Sequence, residues 1–336
     1  EVDLPEALRS LGAAEDLPAL EQLKVCCDAC MDAITCQRRH GDARGLGDAG
    51  AALVVQWAAR SPLRELSLAW NHIGTKGVRA LVTGLQCFQT GGALRSLDLQ
   101  WNAITAPGAE LLAEALRAGL QTLRRLELRS NPLGDQGCAE LAAAGAPGVE
   151  LQYLGLGEAS LTTAASLGKL VTFPALKHLD VSDNAFTCSS SQSMAEVVAM
   201  PQLRRLDLRG FLFERQRIRD ISPWAPRILA LSAIVALDLG YQQIDDDGAA
   251  LIATSLAPFS ALELLSLFNT EVGDRGALAI HAALSRRTRG FLDLNVAQCK
   301  LTSVGVTRLQ EFSRADPRLR RLTVWGNAQQ GRGRQV

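Results

Sequence analysis

Cys27, Cys30, Cys36 and His40 are the residues whose types and spacing come nearest to a reactive centre in this sequence. Three thiolates and an imidazole are enough for a tetrahedral zinc site, and a small loop that lacks a core gains from such a staple. The same segment has a simpler reading. Cys27, Cys30, Met31 and Ile34 fall at helical spacing, as the buried face of a short helix would. A Cys26–Cys36 disulfide would suit an oxidising compartment, but eight cysteines at irregular spacing do not form a secreted disulfide framework. The packed helix is preferred, and neither a metal nor a cofactor is expected.

Other catalytic machinery is sparse. His40, His72, His178 and His281 are scattered and assemble no Ser-His-Asp set. No phosphate loop of the G-x4-G-K-[ST] type is present. The chain balances 35 basic against 35 acidic residues, which argues against nucleic acid or an anionic membrane as the main partner. Its longest apolar run, Ile228–Leu237, is hemmed by Arg227 and Asp238 and is too short to span a bilayer. The reading is an intracellular protein, cytoplasmic by default, or organellar if a leader was removed before Glu1.

Protein recognition needs different residues, and these are arranged along the chain with a period. Leu63, Leu94, Leu123, Leu151, Leu176, Leu203, Ile234, Leu262, Phe291 and Leu319 follow one another at steps of 25 to 31 residues. Each is followed three and five residues later by an apolar pair, such as Leu66/Leu68 or Leu97/Leu99, the alternation of a short half-buried strand. The slot eight residues after the first leucine holds Asn71, Asn102, Asn131, Asn184 and Asn327. An amide there can satisfy backbone groups that stacking would otherwise bury unpaired. Glycine follows at Gly77, Gly108, Gly137, Gly248, Gly276 and Gly305, five of them preceded by Thr75, Asp135, Asp246, Asp274 or Ser303, with Asp48 in the first unit, as expected N-caps of a helix. One strand and one helix per repeat cannot bury a core alone, so the repeats must stack.

The pattern LxxLxLxxNxIGxxG followed by a helix resembles the long class of leucine-rich repeats found in ribonuclease inhibitor, the sensor ends of NOD-like receptors and Ran GTPase-activating protein. The resemblance covers about residues 46–327. It implies an α/β solenoid shaped as a horseshoe, with parallel strands on the concave face and helices on the convex one. The expected layout is an N-terminal cap and divergent first repeat with the Cys-rich insertion (1–62), the solenoid (63–327) and a polar tail (328–336). The architecture hosts unrelated functions, so it constrains partners weakly. It favours a non-enzymatic scaffold, a structural or adaptor subunit of a larger assembly. The alternative is a GTPase activator, for which Arg44 lies in the corresponding region; the acidic tail typical of Ran GTPase-activating protein is absent.

Candidate partner contacts follow from strand periodicity. The fifth repeat position faces away from the core and reads Asp98, Glu127, Asp180, Asp207 and Asp238 among polar residues, an acidic stripe. Arginines at the second position (Arg64, Arg95, Arg124, Arg204) flank it. The two rows either neutralise each other or form a face for a basic partner. Trp70 and Trp101, with Tyr241, Phe268 and Trp325, gather at strand exits, where they either pack on neighbouring loops or anchor a partner. The resemblance implies the latter for Trp70, Trp101 and Trp325. A second patch is Arg215, Arg217, Arg219 and Trp224, in a stretch where Pro223 and Pro226 rule out one uninterrupted helix. That stretch is either a pair of loosely formed repeats or a grafted binding loop. The final repeat, opening at Leu319, carries no further helix, so a partner, or a part of the protein missing from this sequence, is expected to cover that edge.

Overall fold

The computed structural model describes residues 22–25, 45–58, 63–86, 94–163, 165, 167–186, 200–210, 233–256, 261–286 and 292–327. The Cys26–His40 cluster, Arg44, the Arg215–Trp224 patch and the tail lie outside them. The chain forms two compact units, residues 1–161 with 169–176, and residues 162–168 with 177–336.

The first unit runs β1 (Gln22–Lys24), α1 (Gly47–Ala58), β2 (Glu65–Ser67), α2 (Thr75–Gln86), β3 (Ser96–Asp98), α3 (Ala106–Ala118), β4 (Arg125–Glu127), α4 (Gly134–Ala142) and β5 (Tyr153–Gly155). A 3₁₀ helix, Leu167–Thr172, follows β5 in sequence. The second unit contains β6 (His178–Asp180), β7 (Arg205–Asp207), β8 (Ala236–Asp238), α5 (Asp246–Leu256), β9 (Leu264–Ser266), α6 (Asp274–Ser285), β10 (Leu292–Asn295), α7 (Ser303–Ala315) and β11 (Leu319–Thr323). Within each unit, consecutive strands pair in parallel. Leu23, Leu66, Leu97, Leu126 and Leu154 align in one column. Leu179, Leu206, Leu237, Leu265, Leu294 and Leu322 align in the other. Parallel neighbours need a crossover, and the helices supply it. This is the α/β solenoid expected from the repeat. No described helix is long and apolar enough to cross a membrane.

The first, fourth and sixth repeat positions fill the core. Leu63, Leu66 and Leu68 are buried, as are Leu94, Leu97, Leu99 and their counterparts along both units. The asparagine slot stitches these layers together. Asn102 Oδ1 accepts from the backbone N–H groups of Asn71 and Ile73, while its Nδ2 donates to the carbonyls of Leu68 and Leu99. Asn131 and Asn327 repeat the arrangement. At three departures from asparagine a donor remains: Gln242 Nε2 reaches Leu208 O, and Thr270 Oγ1 and Cys299 Sγ both reach Leu267 O.

The expected N-caps act in an unexpected direction. Asp48, Asp246 and Asp274 sit in the first turn of their own helices and cap the following repeat. Asp48 Oδ1 accepts from Gly74 N and Gly77 N, at 2.7 and 2.8 Å. Asp246 Oδ1 does the same for Gly273 N and Gly276 N, and Asp274 takes Thr302 N. This also explains the glycines at Gly77, Gly276 and Gly305. A Cβ on Gly305 would stand 2.1 Å from Asp274 Oδ1, and one on Gly77 would stand 2.6 Å from Asp48 Oδ1. The cap of one repeat occupies the space a side chain would need in the next. Ser303 and Thr75 are first helical residues; the caps of α3 and α7 are Thr105 and Thr302, one residue earlier.

Strands β2–β6 and β8–β10 each exit through a residue in the left-handed backbone region. Trp70, Trp101, Ser130 and Glu158 in the first unit, and Asp183, Tyr241, Asn269 and Gln298 in the second, have φ between 50° and 65°. Gly326 takes the same slot with φ 74°. Glycine or a short polar residue suits this conformation, and a bulky side chain there carries strain of about 1–2 kcal/mol.

Candidate partner-binding surface

The face opposite the leucine core carries the third, fifth and seventh strand positions. The fifth-position acids do not form a free stripe, because each is turned back on its own backbone. Asp98, Asp180, Asp207 and Asp238 accept from the N–H groups of Gln100, Ser182, Arg209 and Gly240, two residues onward, at 2.9–3.1 Å. Such local bonds fix a chain that leaves the sheet after three residues. The carboxylates therefore have a scaffold role whatever else they do.

Glu127 corrects the expectation most. It is only 6% exposed. Tyr153 Oη donates to its Oε2 at 2.7 Å and Arg125 to the same oxygen at 2.9 Å, while the Arg125 guanidinium lies 3.6 Å over the Tyr153 ring. The carboxyl lies over Gly155, whose missing Cβ leaves the room. Glu127 is the centre of a clamp between β4 and β5, and a partner cannot reach it as a free charge.

Asp207 is held comparably. Arg209 Nε donates to both Asp207 oxygens, at 2.9 and 3.0 Å, and stands 3.7 Å from Asp238. Burial works against the Arg209 charge, but the bond to Asp207 and the fields of Asp207, Asp238 and Asp180 outweigh it and raise its pKa. Burial pushes the Asp238 carboxyl up, and the neighbouring Asp207 charge adds to this against the Gly240 N–H, Ser266 and Arg209. Two of the second-position arginines are engaged elsewhere. Arg124 pairs with Glu150 and Arg320 with Asp293, both away from the fifth position. Arg125 and Arg209, the groups that meet the acids, lie two residues from their partners on the same strand face. That spacing is legible in Arg125-x-Glu127 and Asp207-x-Arg209 and was the missed signal.

The aromatics form one group in each unit. Trp70 and Trp101 stack in the first, with ring centroids 4.1 Å apart and planes 6° from parallel. Both are half-buried, and both occupy the left-handed slot. Ser67 Oγ donates to Asp98 beside them, at 2.8 Å. In the second unit Phe268 meets Tyr241 edge-on at 5.1 Å and Trp325 at 5.6 Å. Trp325 is 50% exposed. No group of His, Cys, Asp and Glu among the described residues is arranged to hold a metal.

The family model for the leucine-rich repeat matches residues 61–82, 94–113 and 119–142. Ribonuclease inhibitor of Sus scrofa is 30% identical over 232 residues, 65% of this chain. The NACHT, LRR and PYD domains-containing protein 13 of Homo sapiens is 27% identical over 210 residues, 60% of this chain. The chain spans about half of the first relative (49%) and a fifth of the second (20%). Among solved structures, internalin C2 of Listeria monocytogenes is 20% identical with a TM-score of 0.45, covering 76% of this chain and 84% of that one. Proteins built on this repeat are in general scaffolds for binding other proteins. The repeats of this chain are of the ribonuclease-inhibitor-like class, and the chain is a leucine-rich repeat protein.

Proposed function

We propose that the chain is a non-enzymatic protein–protein interaction scaffold, a structural or adaptor subunit of a larger intracellular assembly. The observation that carries this reading is the Trp70–Trp101 stack. Two bulky indoles sit side by side in a backbone slot that favours glycine, half in solvent, with no core to fill. Strain of this kind persists where the surrounding structure or a function maintains it. Tryptophan is also the residue most enriched among binding hot spots. Tyr241, Phe268 and Trp325 form a second contact group, with Asp98, Asp180, Asp207 and Asp238 as a polar rim. The outer side of β11, which pairs only with β10 among the described residues, is a further docking edge.

Affinity purification under mild salt tests the reading. A stoichiometric partner should co-purify with the unaltered protein and leave when Trp70→Ala and Trp101→Ala are combined. The expected loss is at least about 30-fold in affinity, about 2 kcal/mol. Thermal stability should move little, since the stack itself contributes about 0.5–1.5 kcal/mol. Retention of the partner at full stoichiometry by the double variant would overturn the assignment. GTP hydrolysis by candidate GTPases should be unchanged when the protein is added.

A further inference from the structure

The stack has a missing layer. Trp70, Trp101, Ser130 and Glu158 hold the same slot in four successive repeats, with φ of 65°, 57°, 56° and 50°. The first three pass their N–H groups to the next repeat in the same way, to Gln100, Arg129 and Gly157. The four side chains therefore rise from one column at the strand pitch, about 4.8 Å per step. Indoles fill the first two steps. The third holds only the Ser130 hydroxyl. The fourth is Glu158, whose carboxylate bends back to accept from Ser130 Oγ at 2.6 Å.

The outer face of Trp101 thus looks onto a gap one layer thick, with the Glu158 carboxylate drawn to its rim beside the Ser130 hydroxyl. Among the described residues, Trp70 supplies the one ring stacked on Trp101, and no cation pairs with Glu158. An indole face and a carboxylate both present negative potential, so the two are electrostatically unmatched. A flat cation between them satisfies both, lying face-on to the indole and edge-on to the carboxylate. A guanidinium has that shape, and its fork of donors fits a carboxylate. An ammonium is a compact, strongly hydrated point charge and would leave the flat gap part-filled. A proline ring would stack but leave Glu158 unanswered.

We propose that this niche, formed by Trp101, Ser130 and Glu158, takes an exposed arginine side chain of a protein partner as the third layer of the stack. The proposal rests on the reading of Trp70 and Trp101 as a docking surface and names the chemistry of what docks there.

The test follows the tryptophan indole N–H signals by NMR while Nα-acetyl-arginine-N-methylamide is added to the full chain. Saturable shifts of the Trp70 and Trp101 signals are expected. The citrulline analogue, equal in shape but uncharged, should bind about tenfold more weakly, the size of one charge-assisted contact. Lysine and proline analogues should also be weaker. Glu158→Gln should lower the arginine affinity about tenfold while the indole signals keep their folded dispersion. Ser130→Arg should abolish the response by supplying the guanidinium from within. Equal responses to arginine, citrulline and proline analogues, or an unchanged affinity in Glu158→Gln, would overturn the niche. Partner capture lost in the Trp70/Trp101 variant with no arginine binding refutes the niche alone. Arginine binding with partner capture indifferent to those tryptophans refutes the docking reading.

Discussion

Asn131 shows how much one side chain can carry in a stacked fold. It is buried, accepts from Ile104 N, and donates to the carbonyls of Leu99 and Leu128. Asn131→Ala removes all three partners at once, in a site that is 1% exposed. Each orphaned buried group costs about 1 kcal/mol or more, so a loss of about 3 kcal/mol is expected in urea unfolding. The asparagine period announced this role in the sequence. Asp238 presents the opposite case. Its folded pKa is raised, chiefly by burial, so the folded state binds its proton more tightly than the unfolded chain does. Stability from this group is therefore present at low pH and declines as pH rises through the folded value. Asp238→Asn should stabilise the protein at neutral pH and give no gain below about pH 4, the ordinary aspartate value. Thermal melts across that range would show it, and a gain of equal size at every pH would count against the buried-charge account. Nothing in the repeat pattern distinguished Asp238 from Asp207. Burial of Asp238 by its folded neighbours, like the grip of Arg209 on Asp207, is visible only in the fold.

Elements are joined by caps that cross from one repeat to the next, and here the sequence was only half legible. Spacing within a repeat placed Asp48, Asp246 and Asp274 at helix starts, and the helices do start there. The groups they cap lie 26 to 30 residues later, a relation that no single repeat displays. Gly305 and Asp274 offer the cleanest measurement. In the unaltered chain Gly305→Ala forces its methyl against the Asp274 carboxylate and should destabilise α7 by more than its helix propensity gains. With Asp274→Ala already present, that obstacle is gone, and Gly305→Ala should be neutral or stabilising by up to about 1 kcal/mol. A double-mutant cycle should therefore give a coupling of at least about 1 kcal/mol. Additive effects would mean that glycine is needed there for another reason. The left-handed exits were likewise invisible in the sequence, since Trp, Tyr, Glu and Gln are not residues that signal positive φ. Gly326 is the one glycine that takes positive φ in that slot, while Gly210 holds the slot without it.

At the scale of a whole unit, repeats bond their neighbours within that unit, so a defect should spread along it by proximity. Nearest-neighbour stacking makes stability a sum of repeat and interface contributions, and openings start where an interface is weakest. In the second unit the last interface rests on Asn327, which accepts from Leu301 N and donates to the carbonyls of Val296 and Val324. It is backed by two ion pairs. The Arg320 bond to Asp293 and the Arg318 bond to Asp316 lower both carboxyl pKa values, so their support is present at neutral pH and fades as pH falls below about 4. Asn327→Ala should therefore speed hydrogen exchange first at Leu301 and in β10 and β11. It should reach β9 less and leave β6 and β7 near their original protection. Acidification should produce the same gradient in the unaltered chain. A uniform rise across β6–β11 would instead mark the unit as one cooperative block, in which no single rung sets the order of opening.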